Sequence, residues 1–141
     1  MLPIGAAVSV ASAKIARFLF AGGIGFVTDA AVFFGFVYGF GGSIIAARVL
    51  ASLVAMTVTW ALNRSMTFID GRMQNRTAEY GKYLIASFVG MGANLIVLNE
   101  ASKIDANFYH VPAYLLGAIA GLVVNYALYD RMVFNGHRSL G

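Results

Sequence analysis

The stretch IARFLFAGGIGFVTDAAVFFGFVY, Ile15–Tyr38, decides how the rest of the chain is read. It holds one basic residue near its start, Arg17, and one acidic residue, Asp29, in a run that is otherwise apolar, small or weakly polar. About 20 helical residues, rising about 1.5 Å each, cross the hydrocarbon core of a bilayer. Three further stretches fit the same ruler: Ile44–Leu62, Tyr83–Ala101 and Pro112–Tyr129. In lipid the backbone must satisfy its own hydrogen bonds, so helices are the default. A barrel would need alternating strands of ~10 residues, a pattern the sequence lacks. The expected fold class is therefore all-α and integral to the membrane, with four transmembrane helices.

Composition agrees. Of 141 residues, 60% are hydrophobic and 11% charged, where a soluble domain carries about 25% charged residues. The mean hydropathy is +0.76. Too little polar surface remains to coat a water-soluble globule. The net charge of +4 comes from basic residues scattered between apolar runs. This pattern points to membrane orientation and anionic headgroups rather than nucleic acid.

Several chemistries are excluded. Cysteine is absent, so there is no disulfide framework and no thiol chemistry. The histidines are His110 and His137, which offer no zinc set and no nucleophile–base pair. No GxxxxGK[ST] loop is present to cradle ATP. No catalytic residue, metal or cofactor is expected, and the chain is read as not an enzyme.

The connections fix the order of the spans. Gly39-Phe40-Gly41-Gly42-Ser43 is a short turn in which glycine supplies the positive φ of a tight reversal. Residues 63–82 form the longest polar stretch, and 102–111 a second short loop. Pro112 suits the first turn of span four, where its missing N–H costs little. Before the first span, Ala11-Ser12-Ala13 has the form of a cleavage site, but no Lys or Arg precedes it. Residues 1–14 are therefore read as an uncleaved interfacial leader, and residues 136–141 as a cytoplasmic tail. Lys14, Arg17, Arg64, Arg72, Arg76, Lys82, Arg131 and Arg138 fall on one side, against Lys103 and Arg48 on the other. The positive-inside rule then places both termini and the central loop in the cytoplasm, in the cytoplasmic membrane.

The chain repeats itself. Arg17-Phe18-Leu19 matches Lys82-Tyr83-Leu84 at an offset of 65, which also pairs Gly25 with Gly90 and Asp29 with Asn94. Trp60-Ala61-Leu62 matches Tyr126-Ala127-Leu128 at an offset of 66, as Thr67-Phe68 matches Val133-Phe134. The spans thus read as two helical hairpins, residues 15–68 and 82–135, related as parallel repeats, with a site expected where the halves meet.

Asp29 is the sharpest single feature, ~18 Å along the helix from Arg17. A carboxylate at that depth is costly unless it is paired, protonated or facing water. It is read either as a site for ligand hydroxyls or a proton, or as a hydrogen-bonded residue between helices; Asn94 is its counterpart. Arg48, one turn inside span two, either snorkels outward or pairs with Asp29 or Glu100, the latter flanked by Asn99. Asp29, Arg48 and Glu100 form a candidate outer polar cluster. Arg17, Asn63, Arg64, Lys82 and Arg131 sit at the basic ends, with Asn125 deeper in span four. Guanidinium groups there suit phosphate, or simply set topology and meet anionic lipid. Small residues four apart mark packing faces: Gly35 and Gly39; Ala47, Ala51 and Ala55; Ala86 and Gly90; Ala113, Gly117 and Gly121. Packing within one chain is the default use of these faces, and a homodimer the alternative.

Three stretches give the chain a family resemblance: Arg17-Phe18 running into Gly22-Gly23-Ile24-Gly25, the run Asn63-Arg64-Ser65-Met66-Thr67-Phe68, and its echo from Asn125 through Arg131-Met132-Val133-Phe134. In their order across four spans, from Lys14 to Asn135, they resemble the GtrA-like family. Met66 departs from the tryptophan frequent there, which removes an aromatic anchor. The resemblance implies a small four-span protein of cell-surface polysaccharide synthesis, linked to polyprenyl-phosphate sugars and to the membrane glycosyltransferases that make them. It implies translocation of the lipid-linked sugar across the membrane. Arg17, Asp29, Asn63, Arg64, Asn94, Asn125 and Arg131 are then the substrate-binding candidates. The alternative is a membrane subunit that recruits or stabilises a glycosyltransferase and moves nothing. A small multidrug-type exporter, with Asp29 as its acid, is disfavoured by the repeat and the basic ends.

Overall fold

The computed structural model describes residues 4–104 and 111–136. Four long helices account for most of them: α1 (Ile4–Phe34), α2 (Ile44–Leu62), α3 (Arg76–Ile104) and α4 (Val111–Leu128). No strand occurs among the described residues. All four helices are long and apolar enough to cross a bilayer, over Val8–Gly39, Ala46–Thr67, Arg76–Ala101 and Pro112–Val133. The chain is an all-α, multi-pass membrane protein of four spans.

The helices pair as hairpins in two compact units, Met1–Ile69 and Asp70–Gly141. In the first unit, α1 runs without a break from Ile4, so residues 4–14 form the opening turns of the spanning helix. After Pro3 the sequence offers no second proline to stop it. The helix loosens into a π-helical turn at Gly35–Gly39 and reverses at Gly41, whose φ of +63° meets the positive-φ requirement. Ser43 then caps α2 by accepting a hydrogen bond from the Ala46 N–H at 3.2 Å. In the second unit, α3 starts about two turns before the apolar run, at Arg76, because Asn75 caps it through the Ala78 N–H at 3.1 Å. Residues 105–110 and 137–141, which include His110, His137 and Arg138, lie outside the described residues, as do residues 1–3.

Small residues bring each pair of helices together. Ala21, Ala47 and Ala51 have no exposed surface, and Ala86 and Ala113 almost none. Gly25 abuts the Thr59 side chain across α1 and α2. At the matching place in the second unit, Gly90 abuts Asn125, and Gly117 lies so close that a Cβ there would stand 2.8 Å from the Asn94 carbonyl oxygen. Lipid tails are as apolar as leucine, so helix pairs in a membrane hold by such close packing rather than by exclusion of water. Gly35 and Gly39 are different: both are exposed, with open space where a Cβ would point. The alanine and glycine faces of α2, α3 and α4 are used inside the hairpins.

Each unit ends in the same device. The last turn of α2 widens into a π-helical segment, Asn63–Thr67, closed by the Phe68 N–H donating to the Asn63 carbonyl at 2.8 Å. The last turn of α4 does so over Tyr129–Val133, closed by the Phe134 N–H donating to the Tyr129 carbonyl at 2.8 Å. Both phenylalanines turn inward and are buried.

Crowding at these contacts makes a direct prediction. Gly117→Val should destabilise the protein by about 1–3 kcal/mol through overpacking against Asn94 and Leu98. Gly22→Ala, where nothing lies within reach of the added carbon, should leave the thermal midpoint in detergent unchanged or slightly raised.

Candidate functional site

Charged groups within the apolar spans are the first candidates. In the first unit, Arg48 grips Asp29 with both arms of its guanidinium, Nη1 to Oδ2 at 2.9 Å and Nη2 to Oδ1 at 3.1 Å. The sequence allowed this pairing among others; the helices realise it because the tight Gly41 turn sets the start of α2 beside the second half of α1. The Asp29 side chain is 18% exposed and that of Arg48 59%, so the pair opens outward from the hairpin. Arg48 also lies 5.9 Å from the centre of the Phe33 ring. A fork-to-fork pair of this kind is the strongest geometry open to these groups.

The other residues of the candidate outer cluster behave differently. Glu100 takes hydrogen bonds from Lys103 Nζ at 2.6 Å and Asn99 Nδ2 at 3.0 Å, all on the last turns of α3. Its partners are local, one and three residues away in sequence.

The asparagines of the second unit are packing residues in this structure. Asn94 lies against Gly117 and Gly121, and Asn125 against Gly90, so the two side chains interlock across α3 and α4. The Asn125 Oδ1 is buried there with no hydrogen-bond partner. A nearby aromatic network is fully closed: Tyr83 stacks on Tyr129 with centroids 4.2 Å apart, and the Tyr129 hydroxyl meets Ser87 Oγ at 2.6 Å. Ser87 also donates to the Tyr83 carbonyl at 2.8 Å.

The basic end of the first unit is formed by the start of α1 and the Asn63–Thr67 turn. Arg17 is exposed and donates one long hydrogen bond, 3.3 Å, to the Met66 carbonyl. Lys14 stands 4.7 Å over the Phe68 ring. Asn63 is buried at 2% exposure, and Arg64 beside it is half-buried. Thr67, 6% exposed, carries a buried hydroxyl with no hydrogen-bond partner. The matched closing bonds of Phe68 and Phe134 set the register of the repeat, so that Arg64 corresponds to Asp130 and Arg131 to Ser65. Arg131, exposed on the second unit, is therefore not the structural echo of Arg64.

Glu79 escaped the sequence reading. It has no exposed surface, and its Oε2 accepts the Met73 N–H at 2.7 Å. Around it the segment after Asp70 is tied down: a side chain on Gly71 would strike the Phe134 carbonyl, and one on Gly136 the Arg72 carbonyl. Its only sequence signal is its place just after the Asn75 cap, where a carboxylate favours a helix N-terminus. Thr67 was visible in the sequence only within the run Asn63–Phe68 and its repeat, with nothing to mark its hydroxyl as buried.

Two predictions test this geometry. Tyr129→Phe should cost about 1 kcal/mol by removing the hydroxyl's bond to Ser87, which keeps its bond to the Tyr83 carbonyl, measured by thermal or denaturant unfolding in micelles. Asp29→Ala and Arg48→Ala should be non-additive by roughly 1 kcal/mol in a double-mutant cycle.

Among known proteins, the family model described as the GtrA/DPMS transmembrane domain matches residues 17–134. The comparison with curated proteins returns no match.

Proposed function

The chain belongs to the GtrA/DPMS transmembrane-domain family, which makes it a membrane protein of polysaccharide and glycosylation pathways, and from that membership we propose that it carries a polyprenyl-phosphate-linked sugar across the cytoplasmic membrane. Both termini face the cytoplasm in this reading, as the distribution of Lys and Arg favours. The headgroup enters at the basic ends and passes the Asp29–Arg48 pair, while the polyprenyl tail stays in lipid. A membrane glycosyltransferase supplies the substrate. The chain performs no bond-making chemistry and has no energy source of its own, so net movement follows the gradient maintained by consumption of the sugar outside.

The observation that carries this reading is the Asp29–Arg48 pair. Ionised groups within a spanning hairpin are expensive, and their default interpretation is a substrate or ion path. This one is open on its Arg48 side, where sugar hydroxyls and phosphate oxygens find both donors and acceptors.

A second reading has an observation of its own. Asn94 and Asn125 are committed to packing between α3 and α4, as expected of a subunit whose polar residues only hold helices together. Such a subunit recruits or stabilises the glycosyltransferase and moves nothing.

Reconstitution separates the two. The purified protein alone is placed in liposomes, and accessibility of a polyprenyl-phosphate sugar is followed on each leaflet. The expected result is protein-dependent equilibration that Asp29→Asn and Arg64→Ala abolish. No movement, together with stable co-purification of a glycosyltransferase, would establish the subunit reading instead.

A further inference from the structure

The two hairpins are variations on one plan, and they differ most where a ligand would bind. In the second unit the basic end is filled. Tyr83, Ser87, Tyr129 and Val133 occupy it, with the rings stacked, the hydroxyls bonded to each other and Val133 fully buried. The repeat places Phe18, Gly22, Asn63 and Thr67 at the same positions of the first unit. Asparagine in place of Tyr129 removes an aromatic ring, and glycine in place of Ser87 removes a hydroxyl. Threonine in place of Val133 adds one, and that buried hydroxyl finds no partner. A buried polar group left unpaired is costly, so its retention calls for an explanation such as a ligand or an ion.

Charge separates the two ends in the same direction. The second unit has Asp70, Glu79 and Asp130 among its Arg72, Arg76, Lys82 and Arg131. The first unit contains one acidic residue, Asp29, and Arg48 already holds it. Lys14, Arg17 and Arg64 gather at its other end. Arg17 is the most available of them: it is exposed, and of its five N–H donors one makes the long contact to the Met66 carbonyl. That contact holds the guanidinium beside the residue that precedes Thr67.

Resting on the reading above for the lipid-linked substrate, we propose that the basic end of the first hairpin is a phosphate-ester site and that its counterpart in the second hairpin is a closed, structural copy. Arg17 supplies the fork of donors to the phosphoryl oxygens. Thr67 supplies a hydroxyl that finds its partner when the ligand displaces the Met66 contact. Lys14, over the Phe68 ring, and the half-buried Arg64 flank it.

The chain's single tryptophan, Trp60, lies one turn before Arg64 and serves as a reporter. The full chain in micelles is titrated with geranyl phosphate, geranyl-phosphoryl hexose, phosphatidylglycerol and inorganic phosphate while Trp60 emission is followed. The expected result is saturable binding of the phosphate esters, weakened ~10-fold or more by Arg17→Gln, as loss of hydrogen bonds to a charged group requires. The double variant Asn63→Tyr with Thr67→Val, which installs the second unit's residues in the first, abolishes binding without lowering the thermal midpoint. Arg76→Gln, an exposed change at the start of α3, binds as the unaltered protein does. Preference for the geranyl compounds over phosphatidylglycerol identifies a lipid-linked sugar as the source of the phosphate, and equal binding identifies ordinary anionic lipid; either supports the site. Unchanged binding in Arg17→Gln, or an equal loss in Arg76→Gln, overturns it. Failure of transport with binding intact removes the translocase reading alone. Transport that survives Arg17→Gln with binding lost removes this site alone from the path.

Discussion

Two helices in a lipid bilayer gain nothing from hiding apolar surface from one another, so they associate only where their backbones come close enough for dispersion contacts to add up. In this protein that condition is met at Gly25 against Thr59 and at Gly90 against Asn125. Neither glycine can carry a side chain without displacing its neighbour. Everything else in each hairpin follows from the approach these contacts allow. Ala47 and Ala51 on α2, and Ala113 on α4, are buried because the axis distance leaves room for a methyl group and little more. The polar partners are tolerated at such depth because they sit against helix backbone. Thr59 returns its hydroxyl to the Ala55 carbonyl at 2.9 Å, and Asn125 is walled in by Gly90.

The ends of the hairpins solve a different problem. The last carbonyls of a helix lack intrahelical partners, and at the edge of an apolar span they cannot rely on side chains that prefer water. Widening the final turn to a π-helix lets the next N–H reach back five residues, which Phe68 and Phe134 both do. The same turn swings an aromatic ring under the hairpin, sealing its end from below. A π-helical turn is also a place where side chains leave their regular register, and such turns recur at functional sites. Here one of them carries a closed aromatic stack and the other carries Asn63 and Thr67.

Much of this was legible in the sequence. The four spans, the Gly41 reversal and the repeat all rest on periodic or local signals: a ~20-residue apolar run, a glycine cluster and matched triplets. The Asp29–Arg48 pair was one of a short menu, because few ionised residues lie inside the spans. What failed to show depended on contacts distant in sequence. Glu79 reads as one charge in a polar stretch, and nothing local says that the Met73 N–H folds back onto it. The early start of α3 was hidden for the same reason, since Arg76, Glu79 and Lys82 interrupt the apolar pattern while Asn75 caps the helix. The repeat matched Asn94 to Asp29, but a repeat aligns positions and cannot show that Asn94 packs against Gly117 and Gly121 or Asn125 against Gly90. Asn99 was read as flanking Glu100, and it does donate to it; the bond from Lys103, three residues on, was not foreseen.

The division of labour between the hairpins has a physical logic. A duplicated unit begins with two copies of every polar group, and each copy left unsatisfied inside a membrane protein costs stability. Function justifies that cost once. In the second unit most polar groups have been paired off or packed away: Tyr129 with Ser87, Glu79 with Met73, Asn94 against glycine, with the Asn125 Oδ1 left unpaired. At the position of Asp29 it carries neutral Asn94, and at the position of Arg48 it carries Tyr114. Exchange of a charged pair for two neutral side chains at equivalent depth removes the largest desolvation term in the span. The first unit keeps both charges, paired with one another, and a buried Thr67 hydroxyl with no hydrogen-bond partner. Stability alone would have neutralised both copies; the retention of charge in the first hairpin is what a site proposed there accounts for.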